Sequence, residues 1–163
     1  LGIVSPANYN TPQQIVIGGE AQAVDQAVAL LQEQGIKRMI PLNVSGPFHT
    51  AILAPASEKL ATELKNVAFN EPKIPVISNT TTEVMTKERI PILLEQQVMK
   101  PVRFYESIHR LKEQGIEQVI EVGPGKVLSG FMKKIDKSIP VLRVENQATF
   151  EETMTSIGGM SWS

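Results

Sequence analysis

Short β-branched runs alternate with helical periodicities along this chain, and that alternation narrows the fold more than any other feature. A strand-like segment begins almost at once, and QIVIGG (14–19) is a compact apolar run closed by glycines, as expected of a strand entering a turn. From Glu20 to Gln34 the apolar residues Ala23, Val24, Ala27, Val28, Leu30 and Leu31 recur at helical spacing, and Gly35 ends the helix. RMIPLN (38–43) reads as a second strand, completing one β-α-β unit. A loop with Gly46 and Pro47 leads into a helix over about 51–66, and IPVISN (74–79) reads as a third strand. Helical patterns over 87–98 and 103–114 are separated by Pro101, and Gly115 closes the second. EQVIEV (117–122) is a buried-type strand, which GPG (123–125) turns into a helix bearing Val127, Leu128, Phe131 and Met132. PVLRV (140–144) is the last strand, followed by a short helix over about 148–156. Strands alternating with helices predict an α/β fold with a mainly parallel sheet covered by helices.

Composition excludes several classes of function. The 163 residues suffice for one ordinary domain or a piece of a larger one, and 42% hydrophobic with 20% charged residues is a globular balance. A net charge of −1 gives no argument for a nucleic-acid or membrane-surface partner. No apolar run approaches the ~20 residues a membrane span needs. The absence of cysteine removes disulfides, thiolate nucleophiles and cysteine-ligated metals together, and fits the cytoplasm as the expected compartment. GGMSWS (158–163) reads as a linker running into the remnant of an affinity tag.

Candidate chemistry centres on VSGPFHT (44–50), which carries one of the two histidines. His49 is expected on a loop beyond a strand's carboxyl end, where α/β proteins place their ligands. A neutral imidazole there can take a proton from a hydroxyl and return it to a leaving group. A structural histidine holding a loop accounts for the same residue. EVGPGK (121–126) fits neither G-x-x-x-x-G-K-[ST] nor G-x-G-x-x-G, so it reads as a tight strand-to-helix turn lining a site wall rather than a phosphate cradle. ANYN (7–10), followed by Thr-Pro, reads as turn chemistry, although its amides can also pair with an acyl group. EQQ (95–97) and His109 read as solvated helix surface, as do Lys37–Arg38 and Lys133–Lys134. The spacing of His, Asp and Glu predicts no metal site.

Four segments together are more specific than any of them alone. ANYNTPQQIVIGG, SGPFHT, QQVMKPVRF and IEVGPGKVLSGFMKK, in this order and at these spacings, resemble the malonyl-CoA:acyl carrier protein transacylase family over roughly residues 3–145. The resemblance implies an α/β-hydrolase-like acyltransferase domain carrying a ferredoxin-like small subdomain. Residues 1–43 would close the small subdomain, 44–157 would belong to the large one, and 158–163 would be the linker remnant. It further implies that His49 is the general base and acid of a Ser–His dyad, and that the main-chain carbonyl of Gln97 holds the imidazole in its useful tautomer. Asn8 and Asn10 would lie near the acyl-pantetheine site, and Phe48 where the family tunes acyl choice, favouring malonyl over methylmalonyl. The implied activity is ping-pong transfer of malonyl from malonyl-CoA to the pantetheine thiol of acyl carrier protein in fatty acid biosynthesis. Both substrates are partners, with no cofactor and no metal. Electrostatic complementarity makes Lys37–Arg38 the contact candidate for an acidic carrier protein.

The departure from the family pattern is as informative as the match. The family nucleophile is a serine in a G-x-S-x-G elbow, and these 163 residues contain no such sequence. The arginine that clamps the malonyl carboxylate and a glutamine of the oxyanion hole also belong to sequence not present here. The chain therefore looks like the C-terminal portion of the enzyme, supplying the histidine but not the serine, and alone it is expected to be inactive. A missing half present as a separate chain, a non-catalytic fragment or subunit, and the acyltransferase portion of a polyketide synthase all stay open.

Overall fold

The computed structural model describes residues 2–158, in two compact units, Leu1–Ser107 and Ile108–Ser163. The expected linker stretch lies outside the described residues from 159 onward, and Gly158 ends the last helix.

The first unit opens with an antiparallel hairpin of β1 (Val4–Thr11) and β2 (Gln14–Gly19), joined at Pro12 and Gln13. The turn reading of ANYN is thereby corrected: Asn8, Tyr9 and Asn10 lie in β1, and only the residues after Thr11 turn. The reason is tertiary. Asn8 and Tyr9 pair with Val16 and Ile15, and on the other edge Tyr9 N–H donates to Val102 at 2.8 Å while Val102 N–H donates to Ala7 at 2.9 Å. Main-chain bonds on both sides override the turn preference of asparagine. Two register shifts, between Pro6 and Asn8 and between Tyr9 and Thr11, twist the strand where it carries these residues.

Helix α1 (Ala21–Glu33) follows, and most of its apolar stripe faces inward: Ala23 is buried and Val24, Ala27, Val28 and Leu31 are half-buried, while Leu30, at the edge of the stripe, is exposed. A 3₁₀ turn (Ala51–Leu53) leads into α2 (Ala54–Leu64), and α3 (Ile90–Met99) packs against α2 with Leu93 buried beneath it. Both helices carry a proline in the first turn, where its missing N–H costs no intrahelical bond. Helix α4 (Phe104–Glu113) spans the division between the units.

Two predicted strands do not form. Residues 38–43 are irregular, and 74–79 contribute only an isolated antiparallel bridge between Ile77 and Val84. Strand composition needs a partner edge to become strand, and neither segment has a ladder partner among the described residues. Their apolar side chains stand in solvent as a result: Ile40 is 65% exposed, Leu42 55% and Ile74 73%.

The second unit pairs β3 (Val119–Val122) with β4 (Val141–Val144) in parallel, Val119 opposite Val141, with α5 (Val127–Ile135) as the crossover and α6 (Gln147–Gly158) after it. Ile108, Met132 and Ile139 are its buried apolar residues. Lys112 on α4 pairs with Asp136 just beyond α5. That ammonium, helped by the hydroxyl and amide of Ser138, holds the Asp136 carboxyl well below the usual range. The α/β alternation is thus present, but among the described residues as one antiparallel hairpin and one parallel pair rather than the mainly parallel sheet the sequence predicts.

Candidate active site

His49 sits in the loop that leads into α2, and its backbone is left-handed, with φ of 63°. A residue with a Cβ in this region costs roughly 1–2 kcal/mol, so the surrounding structure must enforce it. Helix α3 does so from its carbonyl end. The His49 amide donates to the Val98 carbonyl at 3.2 Å, and the ring Nδ1 lies 2.9 Å from the Gln97 carbonyl oxygen. A third carbonyl of that last turn, Gln96, accepts the Lys100 amide at 2.8 Å. One histidine therefore satisfies two of the orphan carbonyls that every helix leaves at its C-terminus.

The chemical consequence follows from donor and acceptor inventory. A carbonyl only accepts, so Nδ1 carries the proton in the neutral ring and Nε2 keeps its lone pair. The ring is half-buried, so that lone pair is available to an incoming hydroxyl or thiol. Gln97 acts here through its main chain, and its side chain is not part of the bond. Gln97→Ala is therefore expected to leave the Nδ1–H tautomer dominant in ¹⁵N spectra of the ring; its loss would mean that the amide group, not the carbonyl, matters.

The other sequence candidates are placed less closely. Phe48 is 53% exposed, and its ring faces Gly46 across the loop. Asn8 and Asn10 are half-buried on β1, and neither amide hydrogen-bonds the imidazole. Asn8 is tied to the site through main chain, bridging to Val102, four residues beyond the carbonyl that holds the His49 amide. Two clefts among the described residues lie at the start of α1 and between the end of α5 and the start of β4, and His49 lines neither.

Sequence reasoning missed three residues that build this site. Thr50 is fully buried, and its hydroxyl donates to the Pro47 carbonyl at 2.7 Å, closing the turn around His49. Gly18 on β2 lets that threonine in, because a Cβ there would stand 3.2 Å from the Thr50 methyl. Ser57 on α2 is 1% exposed and donates to the Glu95 carbonyl of α3 at 2.8 Å. Only the Gly-Gly pair ending β2 hinted at close packing; buried hydroxyls on helices leave no sequence signal.

The glycine turn after β3 is closed by the protein's own carboxylates. Glu121 accepts the amides of Leu128 at 3.0 Å and Ser129 at 2.9 Å together with the Ser129 hydroxyl, and Glu145 accepts the Gly125 amide at 2.8 Å. Two acids occupying these donors oppose a phosphate, which supports the turn reading of GPG. Burial pushes the Glu121 carboxyl up, but the Ser129 hydroxyl, the two amides and the Arg143 charge outweigh it, so its pKa ends below the ordinary 4.5. Its unfolded value is the higher one, so the stability it adds is complete above about pH 4.5 and is lost as pH falls through the folded value. Glu121→Gln is expected to lower the melting temperature at pH 7 and to flatten its acid dependence below pH 4.5. An unchanged acid limb would show that this cap carries none of it.

The site is thus a loop histidine whose Nδ1 rests on a helix carbonyl in an α/β scaffold. The acyl transferase domain family matches residues 2–159, and the chain belongs to that family. The malonyl CoA-acyl carrier protein transacylase of Bacillus subtilis (strain 168) is 46% identical over 150 residues, covering 91% of this chain and 47% of the relative. Its Escherichia coli (strain K12) counterpart is 43% identical over 134 residues, or 82% of this chain and 43% of the relative. Among solved structures, MCAT from Streptococcus pneumoniae superposes with a TM-score of 0.93 at 57% identity, covering 95% of this chain and 51% of that one. A malonyl-transacylase in complex with a type II PKS acyl-carrier protein gives 0.91 at 38% identity, covering 95% and 50%. The fold is therefore that of an acyltransferase domain, and the chain spans about half the length of the curated relatives it matches.

Proposed function

We propose that this chain is the histidine-bearing portion of a malonyl-CoA:acyl carrier protein transacylase, acting in the cytoplasm in fatty acid biosynthesis. The observation that carries the reading is the His49 ring, held by Gln97 with Nε2 open, on a backbone strained to put it there. Nε2 takes the proton of a serine hydroxyl as the serine attacks the malonyl thioester carbonyl, and the tetrahedral oxyanion is stabilised by backbone amides. The imidazolium returns that proton to the departing CoA sulfur, leaving a malonyl–serine ester. In the second half Nε2 deprotonates the carrier protein's pantetheine thiol, which attacks the ester, and the serine recovers the proton. Substrates supply every group transferred, so the reading needs no cofactor and no metal.

The serine of this mechanism lies outside the 163 residues, which contain no G-x-S-x-G. Residues 1–43 are read as the close of a ferredoxin-like small subdomain and 44–157 as part of the large subdomain, with Asn8 and Asn10 toward the acyl-pantetheine. Malonylation of holo carrier protein tests the reading. It is expected when the chain is combined with the nucleophile-bearing sequence and absent with the chain alone, and thioester loss without carrier protein would point instead to a hydrolase. Phe48, exposed beside the base, is read as an acyl-selectivity residue. Phe48→Ser is expected to raise kcat/KM for methylmalonyl-CoA relative to malonyl-CoA by about tenfold, the scale of one pocket contact. An unchanged ratio would remove it from that role. The structural likeness to a transacylase bound to a type II PKS acyl-carrier protein supports a second reading, in which the acceptor is a polyketide carrier protein. Relative kcat/KM for the two carrier proteins separates them.

A further inference from the structure

His49 is held at two points, and both lie on the last turn of α3, so the position of that turn decides where the imidazole stands. The turn is in turn pinned from outside. The Ser57 hydroxyl on α2 reaches across to the Glu95 carbonyl at 2.8 Å, two residues before Gln97 and three before Val98. Ser57 is 1% exposed, so water cannot stand in for this bond. Helix α2 in turn follows directly from the His49 loop, through Thr50 and the 3₁₀ turn. These links close a ring: His49, Thr50, α2, Ser57, Glu95, and back through Gln97 and Val98 to His49.

We propose that Ser57 is a positioning residue for His49, setting the end of α3 so that the Gln97 and Val98 carbonyls meet the ring and the amide together. The inference rests on the reading of His49 as the base, but its geometry can be tested apart from turnover. A free histidine side chain modestly favours the Nε2–H form, so a dominant Nδ1–H form at His49 depends on the Gln97 bond being well made. A small displacement of the α3 turn therefore appears in the tautomer ratio before it appears anywhere else. A hydroxyl that merely satisfied itself in the core would leave that ratio alone.

The test is ¹⁵N-imidazole NMR on the whole chain. Ser57→Ala, verified as folded by circular dichroism, is expected to shift the His49 tautomer ratio about threefold toward Nε2–H, the effect of weakening one neutral hydrogen bond. Thr62→Ala is the control: its hydroxyl bonds the Glu58 carbonyl within α2 at 3.1 Å on the exposed side of the helix, so the wild-type ratio is expected. A folded Ser57→Ala with the wild-type ratio overturns the proposal, as does an equal shift in Thr62→Ala. If Ser57→Ala does not fold, Ser57→Cys supplies a near-isosteric, weaker donor; an intermediate ratio supports the proposal and the wild-type ratio overturns it. In the assembled transacylase, Ser57→Ala is expected to lower kcat severalfold with KM for malonyl-CoA unchanged. Should transfer prove independent of His49 while the tautomer still follows Ser57, the functional reading falls and the coupling stands.

Discussion

His49→Ala, assayed together with the sequence that bears the nucleophile, is expected to lower the rate of malonyl loading by roughly a thousandfold or more. The size follows from what the substitution removes. A serine hydroxyl is a poor nucleophile until a base takes its proton, and the departing CoA sulfur needs that proton back, so one side chain serves both barriers of each half-reaction. Alanine also empties the ring's place on the Gln97 carbonyl, but the loop retains the His49 amide bond to Val98 and the Thr50 bond to Pro47. The fold is therefore expected to survive, and circular dichroism should match the parent. Stopped-flow release of CoA thiol checks the rate. A loss of less than tenfold in a folded variant would leave His49 as a loop-holding residue and nothing more.

Gly19→Ala destabilises the protein by roughly 2–4 kcal/mol, which lowers the melting temperature by about 5–15 °C for a chain of this size. An added Cβ at Gly19 would stand 2.1 Å from the Ile3 carbonyl oxygen and 2.7 Å from the Val4 Cα. Both obstacles are backbone, so no side chain can swing away to make room. Relief requires opening the end of the β1–β2 hairpin, where Val4 pairs with Gly19 and the Glu20 amide donates to Ile3 at 2.8 Å. Thermal melts followed by circular dichroism measure the effect. A shift within 2 °C of the parent would mean that the hairpin end is looser than its contacts indicate.

Elements stabilised by their own residues were the ones legible in the sequence. The stripe of Ala23, Val24, Ala27, Val28, Leu30 and Leu31 announced α1, although Leu30 itself stays exposed, and the proline and glycine boundaries placed α3 and α4 to within a few residues. Strands were legible only where a partner exists. The runs at 117–122 and 140–144 found one another, whereas among the described residues 38–43 joins no ladder and 74–79, of the same apolar character, reaches only the isolated Ile77–Val84 bridge. β1 was obscured for the opposite reason, since Asn8 and Asn10 favour turns and become strand through main-chain bonds to β2 and Val102.

At the site, His49 and Gln97 were placed by resemblance, and their bond is seen here as Nδ1 to carbonyl. No reading of side-chain types could have found that bond, because Gln97 contributes a group every residue has. The same holds for Val98 and for the carbonyl that receives Ser57. What the sequence could not carry is geometry of this kind: a left-handed histidine seated on the end of a helix, and the buried hydroxyls that keep the helix under it.

Intact mass spectrometry after brief exposure to malonyl-CoA tests the central claim most directly. The chain is mixed with a polypeptide bearing G-x-S-x-G, once with His49 present and once as His49→Ala. The expected result is a malonyl adduct on the serine-bearing polypeptide, none on this chain, and slow or no adduct with the alanine variant. A malonyl group on this chain itself, or loading that proceeds equally without His49, would contradict the assignment of His49 as the base for a serine carried elsewhere.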